Sequence, residues 1–222
     1  MATKAQLEQA WKSPNARAFL DMISVAEGTT KYGYYTLFGG SKLESLDRHP
    51  NKAITVKTKQ GPLTSTAAGR YQFLFRTWND VASKLQLPDF GPHSQDVAAL
   101  ELIARRGGLT KVVNGDLQGA ITAVRKEWAS FPGAGYGQGE RSFAFMQSAF
   151  NNALAQYGST PSLTPTTANN TPNTGGGGTA LGIAVLPPAM ILQNPRLALG
   201  SVGTILLLGG AAFAVYYLFF AE

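Results

Sequence analysis

Glu27 is the acidic side chain whose setting in the sequence best suits proton transfer. It closes the run Ala18-Phe19-Leu20-Asp21-Met22-Ile23-Ser24-Val25-Ala26-Glu27, and Gly28 follows. Phe19, Ile23, Ala26 and Glu27 fall at i, i+4, i+7 and i+8, so on a helix they share one face and Glu27 continues an apolar stripe. Gly28 is a natural stop just past the last turn. A carboxyl there is pushed toward its neutral form twice over: apolar surroundings disfavour the anion, and so does the negative end of the helix dipole. A carboxylic acid still protonated near neutral pH is what general-acid chemistry requires. A helix-end glutamate that merely reaches water fits the same stretch, so other residues must decide.

Two loops supply them. Ser65-Thr66-Ala67-Ala68-Gly69-Arg70-Tyr71-Gln72 is a small-residue loop leading into a helical pattern. Gly69 there would let a ligand approach the backbone closely, and Gln72 offers amide donors and an acceptor. Trp128-Ala129-Ser130-Phe131-Pro132-Gly133-Ala134-Gly135-Tyr136-Gly137-Gln138 is a helix end followed by a glycine-rich aromatic loop. Glycine, tyrosine and glutamine on loops around one acid suit a carbohydrate cleft, because sugars offer hydroxyls to amides and C–H faces to rings. Gly69, Tyr71, Gln72, Tyr136 and Gln138 are therefore the candidate binding residues; loop packing is the other role open to each.

The elements that must position these groups follow from periodicity. Residues 4–11 read as a short amphipathic helix, and Ser13 and Pro14 as N-cap and first position of the helix running to Glu27. Between residues 28 and 69 glycines and prolines punctuate β-prone pieces such as Tyr34–Phe38 and Ala53–Val56, an irregular antiparallel region of two or three strands. Tyr71, Leu74, Phe75, Trp78, Val81, Ala82 and Leu85 restore a helical period that Pro88 closes. Ser94 is expected to cap a helix ending at Gly107-Gly108, Asp116 to cap one carrying Leu117 to Trp128, and a last helix carries Phe143 to Tyr157. The expected fold class is α+β: a mostly helical domain over residues 1–158 with a small β wing near its front.

Composition then shifts. No charged residue occurs from Ser159 to Pro195, and Pro161 to Gly178 is a Thr/Pro/Asn/Gly linker, able to reach roughly 60 Å when extended. Ala180 to Leu192 is a short apolar run broken by Pro187-Pro188, expected to lie at an interface. The divisions are thus a domain at 1–158, a linker with this apolar segment at 159–195, and a membrane-spanning helix at 196–222. Residues 197–221 are 25 uncharged, largely apolar residues with Tyr216 and Tyr217 toward one end. About 20 suffice to span a bilayer, so a lipid membrane is an expected partner and a single-pass C-terminal anchor the expected localisation.

The 19 Lys+Arg against 13 Asp+Glu give a net charge of +6, which suits a polyanionic partner such as cell wall or anionic lipid. No dense basic stripe interleaved with aromatics occurs, so nucleic acid is not expected. Cysteine is absent, which excludes disulfides and thiolate zinc sites, and His49 and His93 stand far apart in no ligand spacing and read as loop residues. No metal or other cofactor is expected. Met1 to Glu8 lacks an apolar core, so no secretory signal peptide is expected.

Phe19-Leu20-Asp21-Met22 through Glu27-Gly28-Thr29, then Ala68-Gly69-Arg70-Tyr71-Gln72, Ser94-Gln95-Asp96 and Trp128 to Gln138 resemble, in that order, the lambda-type phage endolysin family over about residues 15–155. The resemblance does not reach the linker or the apolar C-terminus. It implies a lysozyme-like fold and a lytic transglycosylase acting between N-acetylmuramic acid and N-acetylglucosamine, leaving a 1,6-anhydro ring. Glu27 matches the family's catalytic glutamate, and peptidoglycan glycan strands are the implied partner. Such chemistry needs no second carboxylate. Glu44 and Asp47 lie where a lysozyme nucleophile could stand, so hydrolysis by an endolysin in late lysis stays open. A non-catalytic wall-binding membrane protein is a third reading. With Arg196 and the basic domain on the cytoplasmic side, the anchored enzyme would face inward at the host membrane. On a vesicle inside a virion it would face outward, and capsid or vertex proteins would then be partners.

Overall fold

A computed structural model of the chain describes residues 2–58, 61–137 and 139–158. The expected linker and the apolar segment at 196–222 lie outside the described residues. Among the described residues, no helix is long and apolar enough to cross a membrane.

Helix α1 (Lys4–Trp11) opens with a capping box, in which Thr3 Oγ1 accepts from Gln6 N–H and Gln6 Oε1 from Thr3 N–H. Helix α2 (Pro14–Ala26) starts at N-cap Ser13 with Pro14 at its first position, as its sequence predicts. Its inner face, with Phe19, Met22, Ile23 and Ala26 all at or below 1% exposure, is the centre of the core. Strands β1 (Ile54–Thr58) and β2 (Gly61–Ser65) form one antiparallel pair, in register from Ile54↔Ser65 to Thr58↔Gly61. Helices α3 (Phe75–Leu85), α4 (Pro92–Arg105), α5 (Leu109–Val113), α6 (Leu117–Val124) and α7 (Phe143–Gln156) complete the fold. Helix α7 packs along α2, α1 and α3 lie on α4, and α5 bridges α2 and α6. The α+β class holds, mostly helix with a small two-stranded wing.

Four local expectations are corrected. Tyr34–Phe38 is not a strand: Gly33–Tyr35 is a 3-10 turn. Thr36 Oγ1 donates to the carbonyls of Gly33 and Thr29, closing the chain on itself instead of extending it. Tyr71 and Leu74 precede α3 rather than belonging to it. Ala68 and Phe73 exchange both backbone hydrogen bonds, at 2.8 and 3.0 Å, and Gly69 and Gln72 take positive φ inside that loop. Steps of three in a tight turn thus imitated a helical period. Ser94 lies inside α4, whose N-cap is Gly91; its hydroxyl donates to Asp89 instead. Helix α3 lacks a capping side chain at Leu74, and Thr66 Oγ1, just after β2, accepts from Phe75 N–H in its place. His49, read as an ordinary loop residue, is buried. Its Nδ1 accepts from Asn51 N–H, so Nε2 carries the proton donated to Phe73 O, and burial lowers its pKa.

Candidate active site

Helix α2 ends in a Schellman motif. Thr29 N–H reaches Ser24 O at 3.0 Å and Gly28 N–H reaches Val25 O at 3.2 Å, with Gly28 at φ +68°. Glu27 is the capping residue, so its backbone is held while its carboxyl projects beyond the last turn. Thr29 Oγ1 donates to Arg70 O at 2.7 Å, tying this helix end to the loop that carries Gly69 and Gln72.

Glu27 as a residue is half-buried. Ser130 Oγ donates to its Oε1 at 2.5 Å. Burial raises its pKa from 4.5 to about 7, against the opposing pull of the Ser130 hydrogen bonds and the positive charge of Arg141. Arg141 is fixed to both neighbours: its Nε donates to Ala26 O at 3.3 Å and its backbone N–H to Ser130 O at 2.7 Å. The carboxyl is therefore poised between forms near neutral pH, with a hydroxyl donor and a guanidinium ready to stabilise the anion once a proton has left.

Ser130 is itself placed by the core. Trp128 Nε1 donates to Tyr71 O at 3.1 Å, and Phe131, fully buried, packs edge-on to Phe19 of α2. The glycine-rich loop beyond is closed by Glu140, whose two carboxylate oxygens accept from Gly133 and Gly135 N–H at 2.8 and 2.6 Å. Those two backbone donors hold its pKa below the usual range. Tyr136 is 54% exposed on this loop; its hydroxyl donates to Lys126 O at 2.9 Å, and Lys126 Nζ stands over its ring at 5.6 Å from the centroid. Its ring is available to a sugar face.

The other expected binding residues divide. Gln72, half-buried at φ +50°, donates Nε2 to Gly69 O at 3.0 Å, which leaves its carbonyl oxygen and second N–H for a ligand. Gly69, expected to admit a ligand, instead admits the protein. A Cβ there would stand 2.3 Å from Gln95 Oε1 and 2.8 Å from Phe90, with φ at +80°. Tyr71, expected to line the cleft, is 1% exposed, and its hydroxyl donates to Asp96 at 2.5 Å. It is a core residue because the turn at 69–72 rotates it inward. Gln138 lies outside the described residues.

Neither Ser130 nor Arg141 stands out in the sequence. Ser130 lay inside a motif already singled out, and only a contact 103 residues distant shows its partner. A part-buried polar network that no local pattern discloses runs from Asp21 of α2 to Asp96 of α4. Arg70 Nη2 donates to Asp21 Oδ1 at 2.5 Å and its Nη1 to the hydroxyls of Tyr34 and Tyr71. Those hydroxyls and Trp11 Nε1 donate to Asp96. Burial and then the Asp96 charge push Tyr34 up to about 12. Among the described residues no cluster of three or more His, Asp or Glu converges to hold a metal ion.

The Endolysin family profile matches residues 17–157. The chain is 44% identical to the endolysin of Escherichia phage lambda over 131 residues, 56% of this chain and 81% of that protein. It is 42% identical to the endolysin of Escherichia phage P2 over 142 residues, 58% and 86% of the two. Its fold is lysozyme-like: it superposes on bacteriophage lambda lysozyme complexed with a chitohexasaccharide with a TM-score of 0.58 and 38% identity, over 66% of this chain and 96% of that one. The matched region holds Glu27, Ser130 and Arg141 together, and by it the chain belongs to the phage endolysin family.

Proposed function

We propose that this protein is a peptidoglycan-cleaving lytic transglycosylase in which Glu27 is both acid and base. The observation that carries this reading is a glutamate whose carboxyl, raised by burial to a pKa of about 7, is hydrogen-bonded to Ser130. Membership of the endolysin family supports wall cleavage, and the chitohexasaccharide bound to the related lambda lysozyme supports a glycan of N-acetylhexosamines in the cleft. Protonated Glu27 donates to the oxygen leaving C1 of N-acetylmuramic acid, and the C1–O bond breaks. The carboxylate so formed, held by Ser130 and Arg141, then takes the proton of the C6 hydroxyl as that oxygen bonds to C1. Water is not consumed, and Glu27 returns to its starting form. Tyr136 and Gln72 are assigned to sugar contact, and Gln138 is kept from the motif.

Mass spectrometry of digested wall tests this. Fragments should carry anhydro-muramoyl ends, and Glu27→Gln should release none; products heavier by one water would establish hydrolysis instead. The charge-free linker and the 25-residue apolar stretch at 197–221 support attachment to a membrane. We place the enzyme in a virion or host inner membrane, digesting wall locally as the virus enters its host. Absence of the protein from purified, detergent-sensitive virions would transfer it to late lysis.

A further inference from the structure

On the face of α2 beside Glu27, a cavity of about 450 Å³ opens between Arg17, Asp21, Ser24, Tyr34, Arg70 and Tyr157. Ser24 lies three residues, ~4.5 Å of helix, before the acid. Three observations define what the cavity fits. First, Arg17 and Asp21 stand at i and i+4, where opposite charges ordinarily meet, yet they are not paired with each other. Asp21 is held by Arg70 and by Tyr157 Oη at 2.7 Å, while the Arg17 guanidinium rests over the rings of Trp11 and Tyr157 at 5.2 and 4.7 Å. Among the described residues Arg17 has no carboxylate partner. Second, Ser24 is 3% exposed and lines the cavity, and its hydroxyl has no hydrogen-bond partner among the described residues. Ser24 Oγ is not sealed from the cavity, so its hydrogen bond is open to a ligand or water there. Third, the charged groups lining the cavity balance, with Arg17 and Arg70 against Asp21 and Asp96. A bare anion or a bare cation gains little from such a lining; a neutral ligand carrying both charges gains from each.

We propose that this cavity binds an α-amino acid zwitterion, with its carboxylate on Arg17 and Ser24 Oγ and its ammonium toward Asp21. The source is taken to be the free end of a diamino acid in the stem peptide of the wall, carried on the muramoyl sugar that Glu27 acts on. That choice of source rests on the wall-cleaving reading above.

The test is a titration of the 15N-labelled full chain in detergent micelles with meso-diaminopimelate, pimelate and 1,5-diaminopentane. Diaminopimelate should give saturable shifts at Ser24 and Tyr157. Pimelate, lacking the ammonium, and the diamine, lacking the carboxylate, should bind at least tenfold more weakly. Arg17→Ala, at an exposed position, should weaken diaminopimelate at least tenfold, and Ser24→Ala by a smaller factor. No saturable shift at these residues, equal binding of pimelate, or an unchanged Arg17→Ala would each overturn the proposal. Binding is read without turnover, so failure of this site and failure of the cleavage reaction are seen separately. In kinetics, Arg17→Ala should raise KM several-fold on peptide-bearing wall and leave it unchanged on wall stripped of peptide. An equal KM on both substrates would likewise count against it.

Discussion

Replacing Glu27 by glutamine should stabilise the protein at alkaline pH and leave it unchanged at acid pH, relative to the wild type. The folded chain holds this carboxyl at about 7, against 4.5 for a free one, chiefly because burial disfavours the anion. The sign follows from proton binding. Between the two values the folded state binds more protons at this site than the unfolded state, so stability is fully present below 4.5 and is lost as pH rises through about 7. At ~1.4 kcal/mol per pH unit, that displacement corresponds to ~3 kcal/mol once Glu27 is ionised. Glutamine is nearly the same shape, its amide oxygen still accepts from Ser130, and it does not titrate.

The assay is urea unfolding of both proteins at about pH 4, 6 and 8, where the other titrating groups cancel in the difference. Whatever the amide contributes independently of pH appears at all three values. The variant's advantage should grow by ~3 kcal/mol between the extremes, equivalent to roughly 10 °C in Tm. An advantage that changes by less than ~0.5 kcal/mol over that range would refute the argument, because the carboxyl would then not be disfavoured as an anion. Wall cleavage should be lost in the same variant, so the two measurements would read one property from opposite sides.

Ser130→Ala removes a hydrogen bond that favours the Glu27 carboxylate. The alkaline limb of the kcat/KM profile should move upward by about one pH unit while kcat falls, and a profile that stays in place would separate Ser130 from the acid. Tyr71→Phe deletes a buried donor to Asp96 and should cost about 1–3 kcal/mol of stability, measured by urea unfolding, with KM for wall unchanged because the ring does not reach the cleft. Gly69→Ala drives a methyl against Gln95 at a positive φ and should destabilise by about 2–4 kcal/mol, read as a fall in Tm.

Much of this domain is legible because its signals are local. Ser13-Pro14, Asp116 and Gly28 mark helix ends that the backbone realises as read. Glu27 stands out because the apolar stripe of its own helix includes it. What could not be read was decided across the chain. Tyr71 is core and not cleft because Asp96, 25 residues away, accepts its hydroxyl. Gly69 is glycine for Gln95, which also accepts Arg70 N–H at 2.8 Å. Ser130 and Arg141 meet Glu27 only once α2 and the 128–141 loop have packed through Phe19 and Phe131.

That packing explains how a destabilising acid is retained. Glu27 itself contributes an unfavourable burial, so the site must be closed by interactions that do not depend on it. Three do so. The Schellman hydrogen bonds fix the helix end, Thr29 joins it to Arg70, and the Trp128–Tyr71 hydrogen bond joins Arg70's neighbour to the loop carrying Ser130. Arg70 also closes the circuit from below through Asp21, four residues after Arg17 and six before Glu27. The acid is thus surrounded by a frame whose every joint is a group other than its own carboxyl. For that reason a change that neutralises Glu27 should leave the frame standing and more stable. A change to Asp21, which would leave the Arg70 guanidinium without its anion, should loosen the frame at the helix that carries the acid.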